Sequence, residues 1–240
     1  TFVESELYLP TGWHEDRERC RAAKIPEEVV YRSKYQIALE QLDRSALQGV
    51  RFSWITADEW YSQKPAFLGG LEQRGQRYVL EVPKNFTVWL HDPQTAKTNS
   101  VAKPVKTLTR YSKPLMQQPW QAYRMKETDK GPQVWEVKYA PCWLPRAGGV
   151  VGPYWLIVAR NVLNRDEVKY FISNAGAGVP LSVLLHVAFS RWSVERCLQD
   201  EKSELGLSHF EVRCYPALKR HLFITQVSHL FLAHQTQRLR

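Results

Sequence analysis

A chain of 240 residues with 44% hydrophobic content, nine Trp, eleven Tyr and nine Phe has too much apolar matter for a disordered polymer. It suits one large domain or one domain with an insertion. No run approaches the ~20 apolar residues that span a bilayer, and the start does not read as a signal peptide. Cys20, Cys142, Cys197 and Cys214 are scattered without a C-x-x-C pair, which indicates neither a zinc site nor a disulfide framework and fits a reducing setting.

From the beginning, Glu6 to Pro10 reads as a short extended piece. Trp13 to Lys24 is densely charged and predicts a short helix or exposed turn closed by Ile25-Pro26, with Asp16 solvated or paired with Arg19. Glu27 to Gln48 reads as a helix with Val30, Ile37, Leu39, Leu42 and Leu47 on its apolar side and Gly49 as its stop. Val50 to Thr56 alternates and is rich in β-formers, so a buried strand is expected, with Asp58 at its carboxyl end. Strand carboxyl ends are where ligands gather in open α/β sheets. A lone Asp after a strand is, by itself, more often a helix cap. Gln63 to Gln73 then predicts a helix and Arg77 to Val82 a strand ended by Pro83.

The net charge of +9 is concentrated. From Lys84 to Val150 there are eleven Lys/Arg against four Asp/Glu, and from Pro93 to Lys126 seven basic residues and no acid. Lys103, Lys106, Arg110 and Lys113, interleaved with Tyr111, Trp120 and Tyr123, are the footprint expected of a surface that tracks a phosphate backbone. The plain alternative is a solvated basic loop. Phe86 to Leu90 and Val134 to Trp143 read as strands in a mainly β insertion with long loops, and the glycine-rich stretch Pro145 to Pro153 as the linker that returns to the core. Domain limits of 1–83, 84–150 and 151–240 follow.

Tyr154 to Val158 and Val168 to Ile172 are expected strands, and Leu218 to Arg240 a helix with Leu222, Phe223, Val227, Leu230 and Phe231 on one side. His221, His229 and His234 lack metal-ligand spacing. Between them, Leu181 to Leu205 reads as one helix, with Pro180 ahead and Gly206 behind. On it Arg191, Glu195 and Lys202 fall on one face. A carboxylate bracketed by two cations suits metal-dependent phosphoryl chemistry; the bland reading is a salt bridge on a solvated face. Trp192 is either a core tryptophan or a platform for an unpaired base.

The pattern R-x3-E-x6-K at Arg191, Glu195 and Lys202 resembles the signature of DDE insertion-sequence transposases. R-W-S-V-E-R at 191–196, E-L-G-L-S-H-F-E-V-R at 204–213, L-Y-L-P at 7–10, W-I-T-A-D-E-W-Y at 54–61 and Y-V-L-E-V-P at 78–83 are similar to the insertion sequence 701 branch, which is insertion sequence 4-like. The signature's tyrosine position is Ala188 here, so that phenol's phosphate contact does not carry over.

The resemblance implies an α/β fold with a ribonuclease-H-like core, incomplete at the amino end and interrupted by the mainly β insertion. It implies Asp58 and Glu195, 137 residues apart, as second and third acids for a Mg²⁺ or Mn²⁺ pair, used in cleaving and joining DNA strands. Arg191, Lys202 and Trp192 would hold DNA at the scissile bond. The first acid would precede Thr1, so a truncated domain, inactive alone, is expected. Double-stranded DNA, a dimer in a synaptic complex, no membrane and a cytoplasmic, nucleoid-associated bacterial setting are implied too. A non-catalytic DNA-binding remnant is the main alternative. A hydrolase of small phosphate esters fits the basic excess less well.

Overall fold

The computed structural model describes residues 3–95, 100–128 and 131–238. It divides into two compact units, Phe52–Arg191 and a second built from Thr1–Arg51 with Trp192–Arg240. Lys97 of the basic block and the expected helix end at Arg240 lie outside the described residues.

In the unit Phe52–Arg191 the first strand is β1 (Ile55–Ala57), shorter than the expected Val50–Thr56. Two helices, α4 (Glu59–Ser62) and α5 (Pro65–Gln73), carry the chain over to β2 (Tyr78–Val82), which runs parallel to β1. A parallel neighbour requires such a crossover. After a two-stranded sheet of β3 (Thr87–Val88) and β4 (Lys103–Pro104) come two short helices, α6 (Val105–Tyr111) and α7 (Lys113–Met116). Three antiparallel strands follow, β5 (Gln121–Thr128), β6 (Gly131–Arg146) and β7 (Gly149–Asn161), and then β8 (Val168–Ser173). They complete one mixed six-stranded sheet in the order β1-β2-β8-β7-β6-β5. The fold is α/β.

The basic segment was expected to be mainly β; it also contributes α6 and α7, and its long strands continue the sheet of β1 and β2. The stretch read as a linker, 145–153, is instead the tip of the β6–β7 hairpin. Gly149 takes φ 122°, open to glycine without strain. At Gly152 a side chain would start 2.6 Å from the Trp143 ring, so glycine there lets that indole lie across the neighbouring strand.

One face of this sheet carries the core. Helix α8 (Leu181–Ser190) places Leu184, Leu185, Val187 and Ala188 against Val79, Trp135, Val137, Ile157, Ala159 and Phe171. Leu181, Leu184, Leu185 and Ala188 recur at helical spacing, which turns one stripe of α8 onto the strands. The signature's tyrosine position is thereby a buried core position, where alanine allows close approach.

Polar side chains fix the register. Ser173 Oγ donates to the Tyr78 carbonyl at 2.6 Å, and Asn174 Oδ1 accepts from Tyr78 N at 2.8 Å. Both the Tyr78 and Tyr154 hydroxyls donate to Glu72 Oε1 at 2.8 Å, tying α5 to β2 and β7. Burial first, then that carboxylate, pushes the Tyr154 phenol up to about 12. Both phenols therefore stay neutral donors. Lys138, buried on β6, donates to the Leu115 carbonyl at 2.6 Å and so holds α7 to the sheet.

The second unit is helical. Asp16 caps α2 (Arg17–Ala22), accepting from Arg19 N at 2.9 Å; the expected link to Arg19 is to its backbone. Just ahead lies α1 (Thr11–His14). Helix α3 (Lys34–Leu47) starts later than Glu27 because Ser33 and Gln36 form a capping box that fixes its first turn. Leu9, Cys20 and Ile25 form a small core that Tyr215 joins.

The expected single helix Leu181–Leu205 is corrected to two, α8 ending at Ser190 and α9 (Trp192–Ser203) beginning two residues later. Ser190 Oγ donates to the Val187 carbonyl at 2.8 Å, the local competition by which serine weakens a helix end. The final helix, α10 (Tyr215–Arg238), leaves Phe223, Val227, Leu230 and Phe231 exposed, so its expected apolar side is not a packed one among the described residues.

Candidate functional site

Asp58 leaves the carboxyl end of β1 with φ −75° and ψ 174°, still extended, and is exposed. Its Oδ1 accepts from Trp60 N at 3.0 Å and Tyr61 N at 3.3 Å. It is thus both the strand-end acid and the cap of α4, and the two readings are compatible because a carboxylate has two oxygens. Next to it Lys64 Nζ lies 4.9 Å over the Trp60 ring, and Trp60 meets Tyr61 edge-on at 5.0 Å. Burial, then the Asp58 charge, raises the Tyr61 phenol above its ordinary range.

A second carboxylate, to which the sequence pattern gave no role, stands beside it. Ala57 pairs with Leu80 in the parallel register, so Asp58 and Glu81 are the next residues of adjacent strands. Neighbouring strands lie about 4.8 Å apart. Glu81 Oε1 accepts from Lys169 Nζ on β8 at 3.0 Å, and Oε2 from Arg191 Nη2, just past α8, at 3.0 Å. All three side chains are largely buried, Glu81 being 17% exposed. The available signal was a single charge within the otherwise apolar strand Y-V-L-E-V, a placement that ordinarily needs a partner.

Arg191 closes the sheet-bearing unit and contacts Glu81; Glu195 and Lys202, with which it was expected to share a helix face, are on α9 in the other unit. On α9 Glu195 lies in the first turn and Lys202 in the last. Trp192 opens that helix and is 51% exposed, which corrects the core reading. Lys103, Lys106, Arg110 and Lys113 are all exposed, along β4, α6 and α7, while Val105, Leu108 and Leu115 between them are buried.

Beside Lys202, Glu201 is 1% exposed and its Oε1 has no hydrogen-bond partner among the described residues. His229 of α10 approaches it at 3.8 Å, and its Nε2 lies 3.4 Å from Cys197 Sγ. Burial raises the Glu201 carboxyl above its usual range, opposed by the His229 charge. A carboxyl raised on folding binds its proton more tightly in the native state. Its contribution is present below the ordinary value of about 4.3 and lost as pH rises through the raised one. Glu201→Gln is therefore expected to raise the melting temperature near neutral pH, with little change near about pH 4. Thermal melts of both proteins across that range check this; an equal shift at both ends would refute the titration.

Divalent ions of the Mg²⁺ kind need oxygen donors, of which an exposed carboxylate such as that of Asp58 is one. Among the described residues no group of three or more His, Cys, Asp or Glu could hold a metal ion.

The α/β sheet thus carries Asp58 just past the end of β1 and Glu81 within the parallel neighbour β2, with an exposed basic flank in the same unit. The family profile of the DDE superfamily endonucleases matches residues 1–136, more than half of the chain, and the chain belongs to that family. The matched part contains Asp58, Glu81 and the basic flank, and ends before Glu195. No curated protein matches the sequence. A DDE nuclease family implies DNA as substrate and generally employs divalent metals. Among the described residues no helix is long and apolar enough to cross a membrane.

Proposed function

We propose that the chain is a transposase catalytic domain, of the insertion sequence 701 and insertion sequence 4-like kind, with a ribonuclease-H-like core. The observation that carries this reading is Asp58 at the carboxyl end of a parallel strand within the DDE endonuclease match. Asp58 and Glu195 are the acids, Arg191, Lys202 and Trp192 hold DNA near the scissile phosphate, and Lys103, Lys106, Arg110 and Lys113 follow the duplex backbone. A Mg²⁺ or Mn²⁺ pair, when bound, supplies activation of the attacking oxygen and stabilisation of the leaving one. The chain's own part is to bind and align: its cations neutralise phosphates, and Trp192 offers a face to an unpaired base.

Duplex binding through the basic flank is the part of this function that needs no metal. A non-catalytic DNA-binding remnant is the second reading, supported by the exposed basic flank of Lys103, Lys106, Arg110 and Lys113, which binds without chemistry. Duplex binding by fluorescence anisotropy, with and without Mg²⁺, separates them. In the catalytic-domain reading Mg²⁺ tightens binding, and Glu195→Ala removes that response while leaving metal-free binding intact. If Glu195→Ala leaves both unchanged, the remnant reading replaces it.

A further inference from the structure

Glu81 and Lys169 have no part in these assigned roles, and both are joined to Arg191, which has one. We propose that Glu81 is a positioning residue: it holds Arg191 and Lys169, from two different elements, as an oriented pair of cations beside Asp58, ready for a backbone phosphate of bound DNA. The inference rests on the DNA-acting reading of the site, and it adds a residue and a role to that reading.

The geometry carries it. Glu81 pairs with Phe171 of β8, one residue beyond the end of the ladder between β1 and β2, so its backbone is held by the sheet. Its two oxygens are divided between the two cations, each at 3.0 Å. Phe171 stands directly across from Glu81 on β8, and Lys169 is two residues along, on the same side of the sheet. Arg191 reaches the same carboxylate from the end of α8, whose packing stripe fixes where that helix ends. Long cationic side chains lose rotamer freedom on gripping a phosphate, and a carboxylate that has already ordered them lowers that cost.

This reading predicts a sign opposite to simple charge counting. Removing an acid near DNA should tighten binding, because net positive charge rises by one. If Glu81 positions Arg191, Glu81→Gln weakens binding instead, by about two- to tenfold. The test is anisotropy titration of a short labelled duplex across a salt series, with the intact chain, Glu81→Gln, Arg191→Gln, the double variant and Glu81→Asp. Arg191→Gln should lower the slope of log affinity against log salt by about 0.9, the share of one neutralised phosphate. In that background Glu81→Gln should have a smaller effect, limited to the share of Lys169, and Glu81→Asp, which keeps the charge, should restore most of the affinity. Melting curves show which variants remain folded, and the aspartate variant serves if the glutamine one does not. Tighter binding by Glu81→Gln, or equal weakening with and without Arg191, overturns the proposal while the DNA-acting reading survives. Failure of the intact chain to bind duplex at all overturns that reading, and this proposal with it.

Discussion

Replacing Lys103, Lys106, Arg110 and Lys113 together by glutamine is expected to weaken duplex binding by about a hundred- to a thousandfold near ~0.15 M salt. Each cation that neutralises a phosphate releases close to one condensed counterion, so removing four of them acts on the exponent of the salt dependence. The slope of log affinity against log salt should flatten by about 0.9 for each phosphate no longer neutralised. The fold should tolerate the change: all four side chains are exposed, and Val105, Leu108 and Leu115 keep this segment packed. Lys106 and Arg110 are four residues apart on α6 and so share its face. The measurement is the same salt series on intact and quadruply substituted protein. Unchanged affinity and slope would mean that DNA runs elsewhere and that this block is only a solvated flank.

The largest loss of stability is expected from Trp135→Ala. Trp135 is 1% exposed, lies in the core against α8, and its ring centroid is 4.9 Å from that of Phe189. Removing a buried tryptophan ordinarily costs about 3–5 kcal/mol, the forfeited transfer energy plus the cavity left behind. Its Nε1 has no hydrogen-bond partner among the described residues. The ring's hydrophobic mass, rather than its N–H, is therefore the stabilising part, and Trp135→Phe should cost less than half as much. Denaturant unfolding of the two variants decides. Equal losses would place the contribution in the indole N–H instead.

Local patterns are legible because they depend on neighbours in sequence. Strand Tyr78–Val82 matches the expected Arg77–Val82, and the long apolar runs form β6, β7 and β8. The acid at the end of the Asp58 strand is also visible, since a β-rich run followed by Asp and a helix is a local arrangement. Where expectation and structure part, a longer-range interaction has taken over. Glycines at 148, 149 and 152 have the composition of a linker, yet strand pairing across the hairpin uses them as a tip and as room for Trp143. One apolar period from Leu181 to Leu205 has the pattern of one helix; a serine hydroxyl and an ion pair to a strand 110 residues away lie where it ends.

Composition and local pattern were enough for the α/β character and the basic flank, and the resemblance of short motifs pointed to the DDE family that the profile match shows. Such properties survive without coordinates. The folded chain was needed to show that Glu81 stands beside Asp58, and that Arg191 is held by it. Parallel register brings residues 58 and 81 side by side, and no periodicity along the chain encodes which charge in one strand meets which charge in another. That pairing follows from how strands align and from the cost of burying a carboxylate without cations near it.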